Sequence, residues 1–490
     1  MKTFHLLLGL LSVALWTPAS PAPVPFGSGG QVKMLYDVRQ RPQCVYLNGK
    51  VHLVFNAGAV AGAGTKTKPM AVTYDPKTRQ FSEVVTLGPE SRDPHHCPII
   101  WADTEDRLHV LFGCHKTPGT HLVSRQPGSI GRSRDDWGLA AQIAPELSYP
   151  AIVRDDERAR TFSERTGLSY PTVFRVSDGR QLIYFRTGSH SSSWTYRLSS
   201  DNGKTWSGPA NDVTDEDLGG TLSGRDEWAS YQSKLPSRDG RFLYVAFVAY
   251  DDNKANDSKR FYNPRYRMVV KGEEKYNLYL VKIDLQTHKV TNFDGVPMKT
   301  PIDINQADEK CRIWDTEWRG AGVPPAITLD RNGDPALLHV LSEDTIKDHR
   351  YYYVRRSGGK WQQTPITHSN HQWNSGLLTR EDNGLLHAYV VVGEGYFDRE
   401  GSMDRYGGGA IEEWVSSDDG NSWSKKWDLT PDRSQYPGFK YNNIQAVTQP
   451  DGNRVDGMLI FYGWKNAEAP DGVAFLLHED ASPGPSRNAP

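Results

Sequence analysis

Short runs of aromatic and β-branched residues recur along the chain, divided by Gly, Asp, Asn and Pro, and few stretches carry apolar residues at helical spacing. Runs of that composition, bounded by turn formers, predict strands. One unit repeats: an apolar strand, a polar turn near Asp-Gly or Asn-Gly, and a second apolar strand. Its copies are Cys44 to Gly58, Cys97 to Gly113, Tyr170 to Gly188, Tyr231 to Tyr250, Pro325 to Ser342, Ser375 to Gly395 and Ile444 to Trp464. They lie roughly 50 to 90 residues apart, which leaves room for a four-stranded blade and its loops.

Two segments between these hairpins share a tighter pattern, S-x-D-x-G-x-T/S-W: Ser199 to Trp206 and Ser416 to Trp423. In such an Asp-box turn the Asp accepts backbone N–H groups, the Gly supplies a positive φ, and the Trp packs between blades. Weaker relatives surround Asp75 and Asp284. Seven hairpins interleaved with Asp-boxes predict an all-β, seven-bladed β-propeller over residues 31–480, with a pair of β-sandwiches as the alternative.

The ends read differently. Lys2, an apolar run from Leu6 to Leu15 and the small residues around Thr17 to Ser20 have the order of a secretory signal, so residues 1–20 are expected to be removed and the product secreted. Residues 21–30 are expected to be a flexible lead-in and 481–490 a disordered tail. Asn256-Asp257-Ser258 is a glycosylation sequon. No later stretch approaches the roughly 20 apolar residues of a membrane span.

Charge and cysteine content narrow the chemistry. The net charge is −2 with both signs mixed, which gives no electrostatic case for nucleic acid or a membrane as partner. An anionic substrate therefore needs a local basic site. The four cysteines, Cys44, Cys97, Cys114 and Cys311, permit two disulfides in three connectivities but contain no CxxC zinc pattern. A single chain, a monomer, is expected.

In a blade, the start of the inner strand and the end of its antiparallel neighbour lie at the same end of the ring. Residues expected at that shared mouth are Arg41 and Asn56; His95, His96 and His115; Tyr170 and Arg186; Tyr231, Gln232 and Tyr250; Asn374; and Asn443 and Trp464. Aromatic faces with amide and guanidinium donors suit a sugar chain, and arginines suit a carboxylate or sulfate on it. The dull alternatives are a packing tyrosine, a hydrogen-bonded structural histidine and an arginine paired between blades. What singles these residues out is that two His, a Tyr and an Arg from adjacent hairpins face one funnel.

Those groups fit one reaction. A uronate linked through O4 is cleaved without water when its C5 proton is removed and the O4 substituent leaves. Arg neutralises the adjacent carboxylate, and His and Tyr exchange protons with C5 and O4. A glycoside hydrolase needs two carboxylates instead, for which Glu343, Asp344 and Glu394 map to the same end. A sialidase needs an Arg triad and a Tyr–Glu pair. Arg41 with Arg186 is one arginine short.

The set His95, His115, Tyr170 and Arg186, with the histidines twenty apart and the Tyr and Arg sixteen apart, resembles the β-propeller lyases that cleave rhamnosyl-α-1,4-glucuronate linkages. These are the ulvan lyases and the L-rhamnose-α-1,4-D-glucuronate lyases of gum arabic and arabinogalactan side chains. The resemblance implies His95 and His115 as catalytic or carboxylate-contacting groups, Tyr170 as acid or base, and Arg186 as neutraliser. Tyr149 competes with Tyr170, and His96 with His95. It also implies a structural calcium, though no cofactor for the chemistry. The eukaryotic look of the signal and sequon favours the gum arabic type over ulvan. A noncatalytic sugar-binding propeller is the alternative from another class.

Overall fold

All seven hairpins form, and each becomes the inner pair of an antiparallel sheet. The computed structural model describes residues 21–36, 39–58, 66–145, 167–188, 194–208, 228–251, 261–270, 275–300, 302–317, 319–345, 347–393, 406–467 and 469–479. The inner pairs are Cys44–Leu47 with Lys50–Ala57, Ile99–Ala102 with Leu108–Phe112, and Leu168–Arg175 with Gln181–Arg186 for blades 1 to 3. Blades 4 and 5 begin with Trp228–Pro236 and Phe242–Asp251, then Ala326–Leu329 and Pro335–Ser342. Gly376–Arg380 with Leu386–Val392, and Lys440–Thr448 with Arg454–Trp464, open blades 6 and 7. Inner strands of neighbouring blades pack side by side round a ring, including the last against the first. The protein is a seven-bladed β-propeller.

The core lies between blades because each sheet is apolar on both faces. Tyr184 and Trp194 of blade 3 pack with Phe247 and Tyr279 of blade 4 in one cluster, and Val54 and Ala71 of blade 1 meet Ile100 and Val110 of blade 2 in another. The two Asp-boxes are near copies. Asp201 Oδ1 accepts from Thr205 N at 2.9 Å and Asp418 Oδ1 from Ser422 N at 2.9 Å, while Gly203 (φ +77°) and Gly420 (φ +85°) take the left-handed turn. Gly420 leaves no room for a Cβ, which would stand 2.2 Å from the Tyr353 ring.

Two expectations change. The segment expected as a flexible lead-in carries the strand Val24–Gly30, which pairs antiparallel with Gly472–His478 and becomes the outermost strand of blade 7. All four cysteines are buried, unpaired thiols. Residues 1–20, the sequon at Asn256 and the tail 481–490 lie outside the described residues.

Candidate active site

The mouth is assembled where blades 2 and 3 meet. His115 begins the short strand His115–Thr117, which adds to the inner edge of blade 3 with His115 opposite Ser169. Ser169 in turn faces Arg186 across the inner hairpin. Between Ser169 and Thr172 the register shifts, and Tyr170 takes a left-handed φ of +57°. A bulge of this kind re-aims a side chain, and a bulky residue at positive φ is held there only by its surroundings. The Tyr170 ring stands 5.9 Å from His95, 6.0 Å from His115 and 6.1 Å from Tyr231, with the Arg186 guanidinium 4.6 Å from its centroid.

Asp93 organises the histidines. Its Oδ1 accepts from His95 Nδ1 at 2.5 Å and its Oδ2 from His115 Nδ1 at 2.6 Å, and the two imidazoles stack 4.1 Å apart. The same carboxylate accepts the His95 backbone N–H at 2.9 Å, an Asx turn made by Asp93-Pro94. A carboxylate that takes both Nδ1–H groups fixes the orientation of both rings, so Nε2 of each points away from Asp93. Burial raises the Asp93 carboxyl, but the hydrogen bonds from His115 and His95 outweigh it and hold it well below the usual range. Burial pushes His95 down to about 3 against the pull of Asp93, so this imidazole is neutral near pH 7. His96 lies on the far side of Asp93 and bonds Ser91 Oγ at 2.7 Å; burial lowers it as well.

Arg186 is fully buried. Its Nε donates to the Gly188 carbonyl at 3.3 Å, while Nη1 and Nη2 have no hydrogen-bond partner among the described residues. A guanidinium held with two open donors is a costly arrangement unless an anion completes it. A second arginine, absent from the residues the sequence singles out, joins it: Arg39 lies 4.9 Å from the Tyr231 ring, 5.2 Å from Tyr36 and 5.6 Å from Tyr170. Tyr36 stacks on Tyr170 at 5.8 Å, and burial keeps its hydroxyl protonated far above the ordinary phenol range. Lys275 and Trp373 complete this wall, 3.9 Å apart.

Other expected mouth residues do different work. Gln232 is buried and accepts the Tyr184 hydroxyl at 2.7 Å, bracing blade 3 against blade 4. Asn374 spends its amide on the Ser369 and Val391 carbonyls and on Gly408 N–H, which shapes a loop. Trp464 is core, against Tyr462 and Gly408. Asn56 is buried with its amide on Cys97 Sγ at 3.4 Å. Asn443, at φ +60°, is buried with both side-chain polar atoms unpartnered. Arg41 belongs to the central channel rather than the mouth, lining a cavity among the hairpin turns. Tyr149 and the Tyr250 side chain lie outside the described residues.

Carboxylates for hydrolysis are not gathered here. Glu343 lies 3.8 Å from Arg319, Asp344 lies 2.7 Å from Arg265, and Glu394 is outside the described residues. Among the described residues, Asp93, His95 and His115 are the one group of His, Cys, Asp and Glu able to converge on a metal, with donor atoms within 4.8 Å of one another. Two imidazoles and one carboxylate are a poor donor set for calcium, which takes six or more oxygens. Direct hydrogen bonding already accounts for their geometry.

An ulvan lyase of an Alteromonas species is 23% identical over 420 residues, covering 79% of this chain and 74% of its own. One from Nonlabens ulvanivorans is 22% identical over 416 residues, covering 79% and 76%. The solved structure of a polysaccharide lyase family 25 ulvan lyase superposes with a TM-score of 0.65 at 18% identity, over 93% of this chain and 96% of that one. The same fold was solved bound to -[GlcA(1-4)Rha3S]-, with the same score and coverage. Residues 65–369 match the family model described as BNR repeat-containing family member, and with well over half its length inside that match this chain belongs to the BNR repeat-containing family.

Proposed function

We propose that the chain is a polysaccharide lyase that cleaves a rhamnosyl–glucuronate linkage by β-elimination. One observation carries this: a buried Arg186 with two open Nη donors stands beside Tyr170 and a carboxylate-locked histidine pair. A uronate carboxylate completes the guanidinium, and the neutralised acid makes the C5 proton removable. An imidazole Nε2 of the His95–His115 pair takes that proton. The Tyr170 hydroxyl returns one to O4 as the C4–O4 bond breaks, leaving a 4,5-unsaturated uronate and a free rhamnose-bearing end. Arg39 adds a second cation against the same tyrosines.

Two polymers carry this bond. The relatives named as ulvan lyases support ulvan. The leader-like N-terminus and the sequon support a secreted enzyme for gum arabic or arabinogalactan side chains. We take gum arabic as the first substrate to test and ulvan as the second.

Incubation with each polymer under ultraviolet detection tests the proposal. Rising absorbance from the conjugated double bond is expected with one of them, absent in His115→Ala and Tyr170→Phe, both of which still bind it. New reducing ends without that absorbance mean hydrolysis and defeat the proposal. Binding with neither signal, on both polymers, means a noncatalytic sugar-binding propeller.

A further inference from the structure

The end of the propeller opposite the mouth holds a second set of unsatisfied donors. A cavity of about 1580 Å³ opens among the turns of the inner hairpins, and none of His95, His115, Tyr170 or Arg186 lines it. Arg41 and Arg454 do. Arg41 Nε and Nη2 are buried without a hydrogen-bond partner among the described residues. Among the described residues neither arginine forms a salt bridge. Burial and the nearby Arg41 charge push Arg454 down to about 10, and the opposing pulls of Tyr389 and Asp456 are smaller. Burial brings Arg41 itself down to about 10.

Neutral donors face the same space. Gln445 is 2% exposed with Nε2 unpartnered, Thr172 5% with Oγ1 unpartnered, and Ser233 7% with Oγ unpartnered. All three line the cavity, and Thr172 bridges directly to Arg41 across adjacent strands. Of the four acids at its rim, Glu381 accepts from His387 at 2.8 Å and Asp451 from Asn453 Nδ2 at 2.8 Å, while Asp382 and Asp456 are exposed to solvent. Half-buried Arg41 and Arg454 share the cavity with the buried Lys234, and like charges beside three idle donors cost folding energy on both counts.

We propose that the channel around Arg41 is a binding site for a small oxyanion of the sulfate or phosphate class, held by Arg41 and Arg454 with Gln445, Ser233 and Thr172. A planar guanidinium fork and several directional donors match multiple oxygens better than a single halide. The ion neutralises the arginine pair and ties together inner strands of blades 3, 4 and 7, so it acts on the ring rather than on the reaction.

The test is thermal unfolding of the full mature chain in sodium sulfate, and separately in phosphate, against sodium chloride of equal ionic strength. A saturable rise of about 1–2 °C at tenfold excess over a millimolar dissociation constant is expected, beyond any linear salting effect. Affinity should fall tenfold or more in Arg41→Met and in Gln445→Leu, the second guarding against misfolding of the first. In Arg186→Met it should persist, which separates the channel from the mouth. A rise equal to that in chloride, one kept by both channel variants, or one lost only in Arg186→Met overturns the proposal.

Discussion

Replacing Asp93 by Asn isolates what the carboxylate does for the two histidines. The exchange keeps size and leaves one oxygen to accept, so one imidazole keeps its Nδ1–H hydrogen bond and the other meets an NH₂ group. That second ring must turn or take the opposite tautomer, placing a proton on its Nε2. Two charge-assisted hydrogen bonds of 2.5 and 2.6 Å are weakened or lost, each worth about 1.5–3 kcal/mol. If roughly 4 kcal/mol of this is felt at the transition state, kcat falls by about 10³. A wrong tautomer in an analogous carboxylate–histidine pair costs about 10⁴. Substrate binding rests on Arg186 and the aromatic wall, so KM should move only a few-fold. The assay is initial rate by ultraviolet absorbance over a substrate series, with circular dichroism as a fold control. A folded Asp93→Asn variant within tenfold of the parent kcat would falsify the orienting role.

Other perturbations follow from the same contacts. Arg186→Lys keeps the charge but loses the planar fork, and kcat/KM should drop at least about 10²-fold, checked by the same assay. Buried His52, held near 4, and His121 and His339, held near 3, are neutral in the fold; their stabilising effect is complete above the unfolded value of about 6.5 and is lost as pH falls towards 4. Urea melts at pH 7 and pH 5 should therefore differ by several kcal/mol, and equal midpoints refute this. His387 runs the other way: although burial lowers it, bonds to Glu413 and Glu381 raise it overall, so its contribution is present below about pH 6.5 and fades as pH rises through its raised value. Asp201→Ala removes the acceptor for Thr205 N, Thr205 Oγ1 and Ser199 Oγ, and should cost about 1–3 kcal/mol in a urea melt without changing kcat.

The propeller is legible because its inner hairpins are local: an Asp-Gly or Asn-Gly turn between two apolar runs fixes both strands at once. The same locality brings His115, Tyr170 and Arg186 to one place, since strand starts and ends share a mouth. Pleating explains the misplacements. Successive residues on a strand point to opposite faces, so Tyr231 reaches the mouth whereas its neighbour Gln232 turns to Tyr184 in the preceding blade. Trp464 at the end of its strand goes to the core for the same reason. Tyr36, Arg39 and Asp93 went unnoticed because they sit in connections whose path no repeat dictates. For Asp93 a signal existed, an Asp-Pro turn immediately before two histidines. Burial without a partner, which marks Arg186 and Arg41, has no trace in sequence at all.

The strand Val24–Gly30 and the strand Gly472–His478 complete blade 7 only together. During synthesis the first must therefore wait, with its backbone donors and acceptors unpaired, while more than four hundred residues are added. Six blades can assemble in order as they are made, but the ring becomes a ring in a single late event that brings both ends of the fold to one blade. Loop-closure entropy grows only logarithmically with length, so this wait is cheap in equilibrium terms. Its burden is kinetic: an open ring exposes the apolar flanks of blades 1 and 7, and that interval is when a chaperone or an aggregate competes for them.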